Sequence, residues 1–372
     1  MIDKKIKKLR AKFKDLNIDG YIVPKNDEFF SEYSQKNRLK IISNFSGSAG
    51  LAVILKKKNY LFVDGRYTIQ AGMESGKQFQ IVDYKKLVNC NLFKNLTLGI
   101  DPKIFTSDQI KKFFSKNNKI KKIQINLIDL ISNTILPNSK PFFSLKKNIV
   151  GESHLTKIKK IISFLKKKKL KYIFISAPEN VAWLLNIRGY DNPNSPIPNC
   201  RLFISEEKKI FLIVENKKVK NIIKDKKISK KQIIEPNKFK FFINKIKKGK
   251  ILIDKKSCSL FYENLFKENL KIFKGNDPIY FLKSIKTKAE INHLINTHIL
   301  DGVALTKFIY WIKNVNKKTI TEVKAQNKLE SFRRRNSKYL FPSFDTIAGA
   351  GENGAIVHYR AIKKRTKKIK KS

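Results

Sequence analysis

The chain has 372 residues, 41% of them apolar, and a formal charge of +51. That length exceeds one ordinary core, so two or three domains are expected, and no run reaches 18 apolar residues, so no membrane span is expected. The lysines are spread along the whole chain, and no zinc-finger, RRM or helix-turn-helix pattern accompanies them, so nucleic acid is not the expected partner despite the charge.

Ile2, Ile6, Leu9, Phe13 and Leu16 alternate in steps of four and three, which predicts a helix with Asp3 as N-cap and Gly20 as its stop. Tyr21-Ile22-Val23 reads as a buried strand ended by Pro24. Asn44 to Gly50 is a turn of small residues. It leads to a hairpin that rises over Leu51 to Leu55 and returns over Tyr60 to Val63, ending at Asp64-Gly65-Arg66. Leu98 to Asp101 is a further strand, and a helix is expected from about Ser107 to Phe114.

The order then repeats. Leu155, Ile158, Ile161, Ile162 and Leu165 mark a helix, with His154 at its start. Tyr172 to Ile175 answers Tyr21 to Val23, and Asn186-Ile187-Arg188-Gly189 answers Asn44-Phe45-Ser46-Gly47. Leu202 to Ile204 and Ile210 to Val214 answer the first hairpin, and Ile251 to Asp254 answers Leu98 to Asp101. Two copies of one α/β unit, each a mixed sheet with packed helices, are therefore predicted. The second copy carries an additional loop, Tyr190 to Asn199. The expected domains are 1–145, 150–282 and 283–372.

The third region opens with a long amphipathic helix from about Lys283 and a second over Thr321 to Phe332. A dense run of special residues then follows, from Ser343 to Tyr359. Phe344 to Ile347 reads as a strand, Gly349 to Gly354 as a turn, and Ala355 to Tyr359 as the return strand of a β-hairpin that presents His358. Residues 361–372 are almost wholly basic and are expected to be disordered.

Ser343-Phe344-Asp345-Thr346-Ile347 and Asn353-Gly354-Ala355-Ile356-Val357-His358-Tyr359 closely resemble the entry to the catalytic domain of Xaa-Pro aminopeptidases, members of the creatinase/prolidase "pita-bread" metallopeptidases. Tyr21 to Pro24, Ser31-Glu32-Tyr33, Phe45 to Gly50 and Val63 to Tyr67 resemble the first domain of the long, three-domain form. Glu179 to Gly189 resembles its second. The fold implied is two creatinase-like N-terminal domains followed by the start of a pita-bread domain.

The resemblance implies hydrolysis of the bond between an N-terminal residue and a following proline. It also implies a pair of divalent ions, usually manganese, that bridge a hydroxide. Proline-containing peptides are the implied partners, and a homodimer is implied for full-length members. Arg66 stands in the matching Asp-Gly-Arg and is implied to contact the peptide, a role for which its planar fork suits a carboxylate or carbonyl. His358 is implied to be a substrate-binding and catalytic residue beside the metals, donating to the developing oxyanion.

The family's metal ligands come later than this histidine, and the chain ends at Ser372 before any of them. No bound metal and no activity are therefore expected of these 372 residues. The alternatives are a non-catalytic binding protein that keeps the two N-terminal domains, or a basic nucleic-acid-associated protein. His293 and His298 are five apart on a helix and point to different sides, so they cannot share a metal. Arg333-Arg334-Arg335 reads as a solvated face. Cys90, Cys200 and Cys258 are scattered and odd in number. With an N-terminus that lacks an apolar signal core, they predict a reducing, cytoplasmic location and no thiol nucleophile.

Overall fold

Two sheets of the same design carry most of the chain. The computed structural model describes residues 2–31, 36–88, 90–114, 116–132, 140–315 and 320–370. The first sheet takes β1 (Gly20–Pro24), β2 (Leu51–Leu55), β3 (Asn59–Val63), β4 (Gln80–Asp83), β5 (Thr97–Ile100) and β6 (Lys119–Lys122), in the order β4-β3-β2-β1-β5-β6. A short antiparallel ribbon pairs β7 (Phe143–Ser144) with β9 (Ile187–Arg188). The second sheet takes β8 (Tyr172–Ile175), β10 (Arg201–Ser205), β11 (Ile210–Ile213), β12 (Ile233–Ile234), β13 (Lys250–Asp254) and β14 (Lys271–Gly275), in the order β12-β11-β10-β8-β13-β14.

Strand directions match as well as strand order. In each sheet the first strand is antiparallel to the hairpin beside it and parallel to the strand on its other side. β1 and β8 are buried along their whole length, which is why they read as unbroken apolar runs. The helices Ile2–Asp15 and His154–Lys167 bury Ile6, Leu9 and Phe13 in the first case and Ile158, Ile161, Ile162 and Leu165 in the second.

The matched asparagines have a physical meaning. Asn44 ends the helix Arg38–Ser43 at φ 69°, and Asn186 ends the helix Pro178–Leu185 at φ 54°. Asparagine tolerates this left-handed cap better than other non-glycine residues. The first helix differs from its expectation. It starts at Ile2, so Asp3 lies in its first turn, and it ends at Asp15 with Asn17 at φ 44°; Gly20 opens β1 instead of stopping the helix.

The two α/β units are joined by real contacts. Leu260 packs into a core cluster of the first unit, and its N–H donates to Phe105 O at 2.7 Å. The Arg201 guanidinium lies 4.1 Å from the Phe29 ring centroid and 4.7 Å from that of Tyr262, and it donates to the Glu28 carbonyl.

Beyond the sheets, Lys283 belongs to a separate helix, Pro278–Ser284. The long helix runs over Lys288–Asn314 and is opened by a reciprocal cap between Thr287 and Glu290. Its Ile291, Leu294, Ile295 and Ile309 are exposed. A further helix covers Glu322–Arg333.

The β-hairpin expected over 344–359 does not form. Residues 344–350 are irregular, Gly351–Ala355 is a 3-10 turn, and His358 sits in the bend after it. A strand needs a partner for its backbone groups. Here the buried Glu322 carboxylate captures the turn instead, accepting from the Ala350 N–H at 2.6 Å and the Asn353 amide at 2.9 Å. The tail expected to be disordered is also held: Lys368 bridges Thr321, and the Lys367 N–H donates to Glu322 at 2.9 Å. Of the motif Ser31-Glu32-Tyr33, Glu32 and Tyr33 lie outside the described residues.

Candidate functional site

β3 ends at Val63, and a tight turn follows in which Tyr67 N–H donates to Asp64 O at 2.9 Å. Arg66 leaves this turn beside Asp64, forming a two-point contact at 2.9 and 2.7 Å. The Arg66 hydrogen bond is the main reason that the Asp64 carboxyl stays below its ordinary range; partial burial opposes it, and a charge on His358 would act with it. The Arg66 guanidinium also lies 5.4 Å from the centroid of the Tyr67 ring.

Tyr67 is wholly buried and opens the helix Thr68–Ser75. Its ring meets Phe45 edge-on at 5.7 Å, and its hydroxyl and that of Ser48 share a hydrogen bond of 2.7 Å. The loop that carries Ser48 is equally fixed. Glu74 accepts from both the N–H and the hydroxyl of Ser46 at 2.7 Å, and the Gln70 amide donates to Ser46 at 2.9 Å. Only glycine fits at position 47, because a Cβ there would lie 2.2 Å from Phe45 Cζ and 2.8 Å from Tyr67 Cδ1.

His358 arrives on this surface from the far end of the chain. Its imidazole stacks on Tyr67 with centroids 5.2 Å apart and planes 19° apart. Its Nδ1 is buried and makes no hydrogen bond among the described residues. The next residue, Tyr359, is pinned by its hydroxyl, which donates to Glu322 at 2.9 Å. Arg360 pairs with Asp345 at 2.6 Å.

Between the two walls lies a cavity of about 240 Å³. Ser46, Gly47, Ser48 and Gln70 line it from the first unit, and Phe344, Ile347, His358 and the Asp345–Arg360 pair line it from the C-terminal region. Arg66 and His358 are thus brought to the same neighbourhood through the ring of Tyr67. Sequence reasoning missed Tyr67, Gln70 and Glu322. The only signal was that Tyr67 directly follows Asp-Gly-Arg.

The other candidates lie elsewhere. His293 and His298 are exposed on the long helix, where His298 Nδ1 is 2.8 Å from Leu294 O. Arg333 is held by Asp301 at 2.6 Å. Cys90, Cys200 and Cys258 are buried, and burial pushes each thiol above its ordinary pKa. Among the described residues no three His, Cys, Asp or Glu side chains converge to hold a metal ion. No helix among them is long and apolar enough to cross a membrane.

The architecture and this juxtaposition can be set beside known proteins. Residues 5–129 and 136–290 each match a creatinase/prolidase N-terminal domain model, and residues 292–372 match the M24 metallopeptidase model. The chain therefore carries two creatinase/prolidase N-terminal domains followed by the start of an M24 metallopeptidase domain. It is 32% identical to Xaa-Pro aminopeptidase 1 of Dictyostelium discoideum over 96% of its own length and 62% of that protein. It is 31% identical to an Xaa-Pro aminopeptidase of Drosophila melanogaster over 97% of its own length and 62% of that protein.

The X-prolyl aminopeptidase of Caenorhabditis elegans, a cytosolic enzyme with a di-nuclear active site, superposes with a TM-score of 0.88 at 24% identity. The match covers 98% of this chain and 66% of that one, and it shows the shared fold. The chain therefore spans about three fifths of the length of the curated relatives. These matches support the resemblance to Xaa-Pro aminopeptidases. They lend no support to the expected inactive fragment, the binding protein or the nucleic-acid-associated protein.

Proposed function

We propose that the whole protein is an Xaa-Pro aminopeptidase, and that this chain contributes Arg66 and His358 as contacts to the peptide. The observation that carries the reading is that the Tyr67 ring meets both the His358 imidazole and the Arg66 guanidinium, with His358 lining the adjacent cavity. An N-terminal peptide segment offers carbonyl oxygens, and an Arg fork and an imidazole N–H are donors suited to them.

His358 is the residue placed to donate to a carbonyl oxygen that gains negative charge. A donor fixed in a partly buried site stabilises such charge better than water does. The proposed activity calls for a divalent metal pair, manganese by family resemblance. The described residues do not form a site for it. The division into 1–145, 150–282 and 283–372, a homodimer and a cytoplasmic location belong to the same reading.

The test is release of the N-terminal residue from Ala-Pro-Pro by the whole protein with manganese present. The reading expects release that a chelator abolishes, with Ala-Ala-Pro cleaved far more slowly. Equal cleavage of both peptides, or none of either, would overturn it.

A further inference from the structure

We infer that Tyr67 is the positioning residue of His358: its ring fixes the plane of the imidazole and so confines the ring nitrogens to that plane. The inference rests on the proposed role of His358 and adds to it a residue that neither the sequence motif nor the family resemblance assigns.

A functional histidine is ordinarily oriented by a hydrogen bond at the nitrogen remote from the substrate. That device is missing here. His358 Nδ1 is buried, and no described residue bonds to it. A half-buried imidazole with an unpartnered nitrogen is free to rotate about its side-chain bonds unless packing stops it. The packing comes from Tyr67, whose ring lies nearly parallel to the imidazole at 5.2 Å.

Tyr67 is itself immobile. It is fully buried, its ring is braced edge-on by Phe45, and its hydroxyl is tied to Ser48. Gly47 leaves the room that this arrangement requires. On the other side, Tyr359 is anchored to Glu322, so the backbone carrying His358 is also fixed. A ring held by its neighbour's face and by its own backbone keeps one plane, in which only the two orientations related by a half-turn of the ring remain. The same Tyr67 ring meets the Arg66 guanidinium, so one aromatic surface sets the spacing of both proposed contacts.

The test uses two substitutions. Tyr67→Phe keeps the ring and loses only the hydroxyl; Tyr67→Leu keeps bulk and loses the aromatic face. The full chain contains four histidines, so a 13C-labelled imidazole spectrum can be assigned with His358→Gln. The His358 ring proton is expected upfield in the wild type through the Tyr67 ring current. It should remain there in Tyr67→Phe and move to the position of an exposed histidine in Tyr67→Leu.

In the whole protein, Tyr67→Leu is expected to lower kcat about tenfold or more, as misplacement of a reacting group does. KM should change little, and Tyr67→Phe should restore the rate. A His358 resonance unchanged in Tyr67→Leu would overturn the inference. If that resonance responds as expected while Ala-Pro-Pro is not cleaved even by the wild type, the positioning contact stands and the proposed function falls.

Discussion

The Tyr67 ring lies against the His358 imidazole, 5.2 Å between centroids and 19° between planes, although the two residues come from opposite ends of the chain. The contact closes the C-terminal region onto the first α/β unit. In the proposed function its effect on chemistry is carried by His358. His358→Ala in the whole protein is expected to lower kcat/KM about 10²-fold, the usual effect of removing an oxyanion donor. Metal content should not change, because His358 is not proposed as a ligand. Steady-state kinetics with metal analysis checks both parts; loss of metal would reassign the residue.

Glu322 is expected to hold the whole turn that delivers His358. It is fully buried and accepts from the Ala350 and Lys367 N–H groups, the Asn353 amide and the Tyr359 hydroxyl. Burial would raise its pKa, but these donors outweigh burial and hold the carboxyl below its usual range. Replacing it by Ala leaves several donors unsatisfied, at a cost of about 1–3 kcal/mol. Faster hydrogen exchange at Ala350 and Lys367, with unchanged exchange in β1 and β8, is the expected readout.

Arg38 is buried and pairs with Glu28 and with Asp129, the latter at 2.9 Å. Arg38→Met would strand the Glu28 carboxylate and leave Asp129 to its pair with Lys36, so a loss of about 3 kcal/mol is expected by denaturant titration. The same cluster sets an acid limit. Burial pushes the Glu28 and Asp129 carboxyls up, but Arg38, joined at Asp129 by Lys36, outweighs it and leaves both below their ordinary values. A depressed folded pKa gives stability that is present above the unfolded value and is lost as pH falls through the folded one. Stability should therefore drop below about pH 4, and this drop should be smaller in Arg38→Met.

Asp277 acts in the opposite sense. Burial pushes its carboxyl up to about 6, although it accepts from Ile279 N–H and the Asn180 amide. A raised carboxyl pKa means the folded state binds the proton more tightly. Its contribution to stability should therefore fall as pH rises from about 4 to about 6 and stay reduced above that. Asp277→Asn should flatten that part of the stability curve; an unchanged slope would contradict the assignment.

Much of this fold was legible because its central strands are apolar and continuous. Tyr21 to Val23 and Tyr172 to Ile175 were read directly, and so was the correspondence of Asn44 with Asn186, which the structure explains as two left-handed helix caps. The edge strands β6 and β14 were missed. They are exposed and lysine-rich, as edges often are, and so show no apolar alternation. The hairpin over 344–359 was misread because local signals of turn and strand cannot report whether a partner strand exists. At the candidate site, Arg66 and His358 were singled out by their motifs. The ring that joins them was not, since a contact between distant segments leaves no local pattern.

The account rests most heavily on Arg66 and His358 engaging one peptide. Calorimetric titration of the 372-residue chain with Ala-Pro-Pro measures this directly, for the wild type, Arg66→Ala, His358→Ala and the double variant. Saturable binding that either single substitution weakens, with the double variant losing less than the sum of the two, is the expected result, because contacts to one ligand are coupled. Wild-type binding that survives both substitutions unchanged would contradict the account.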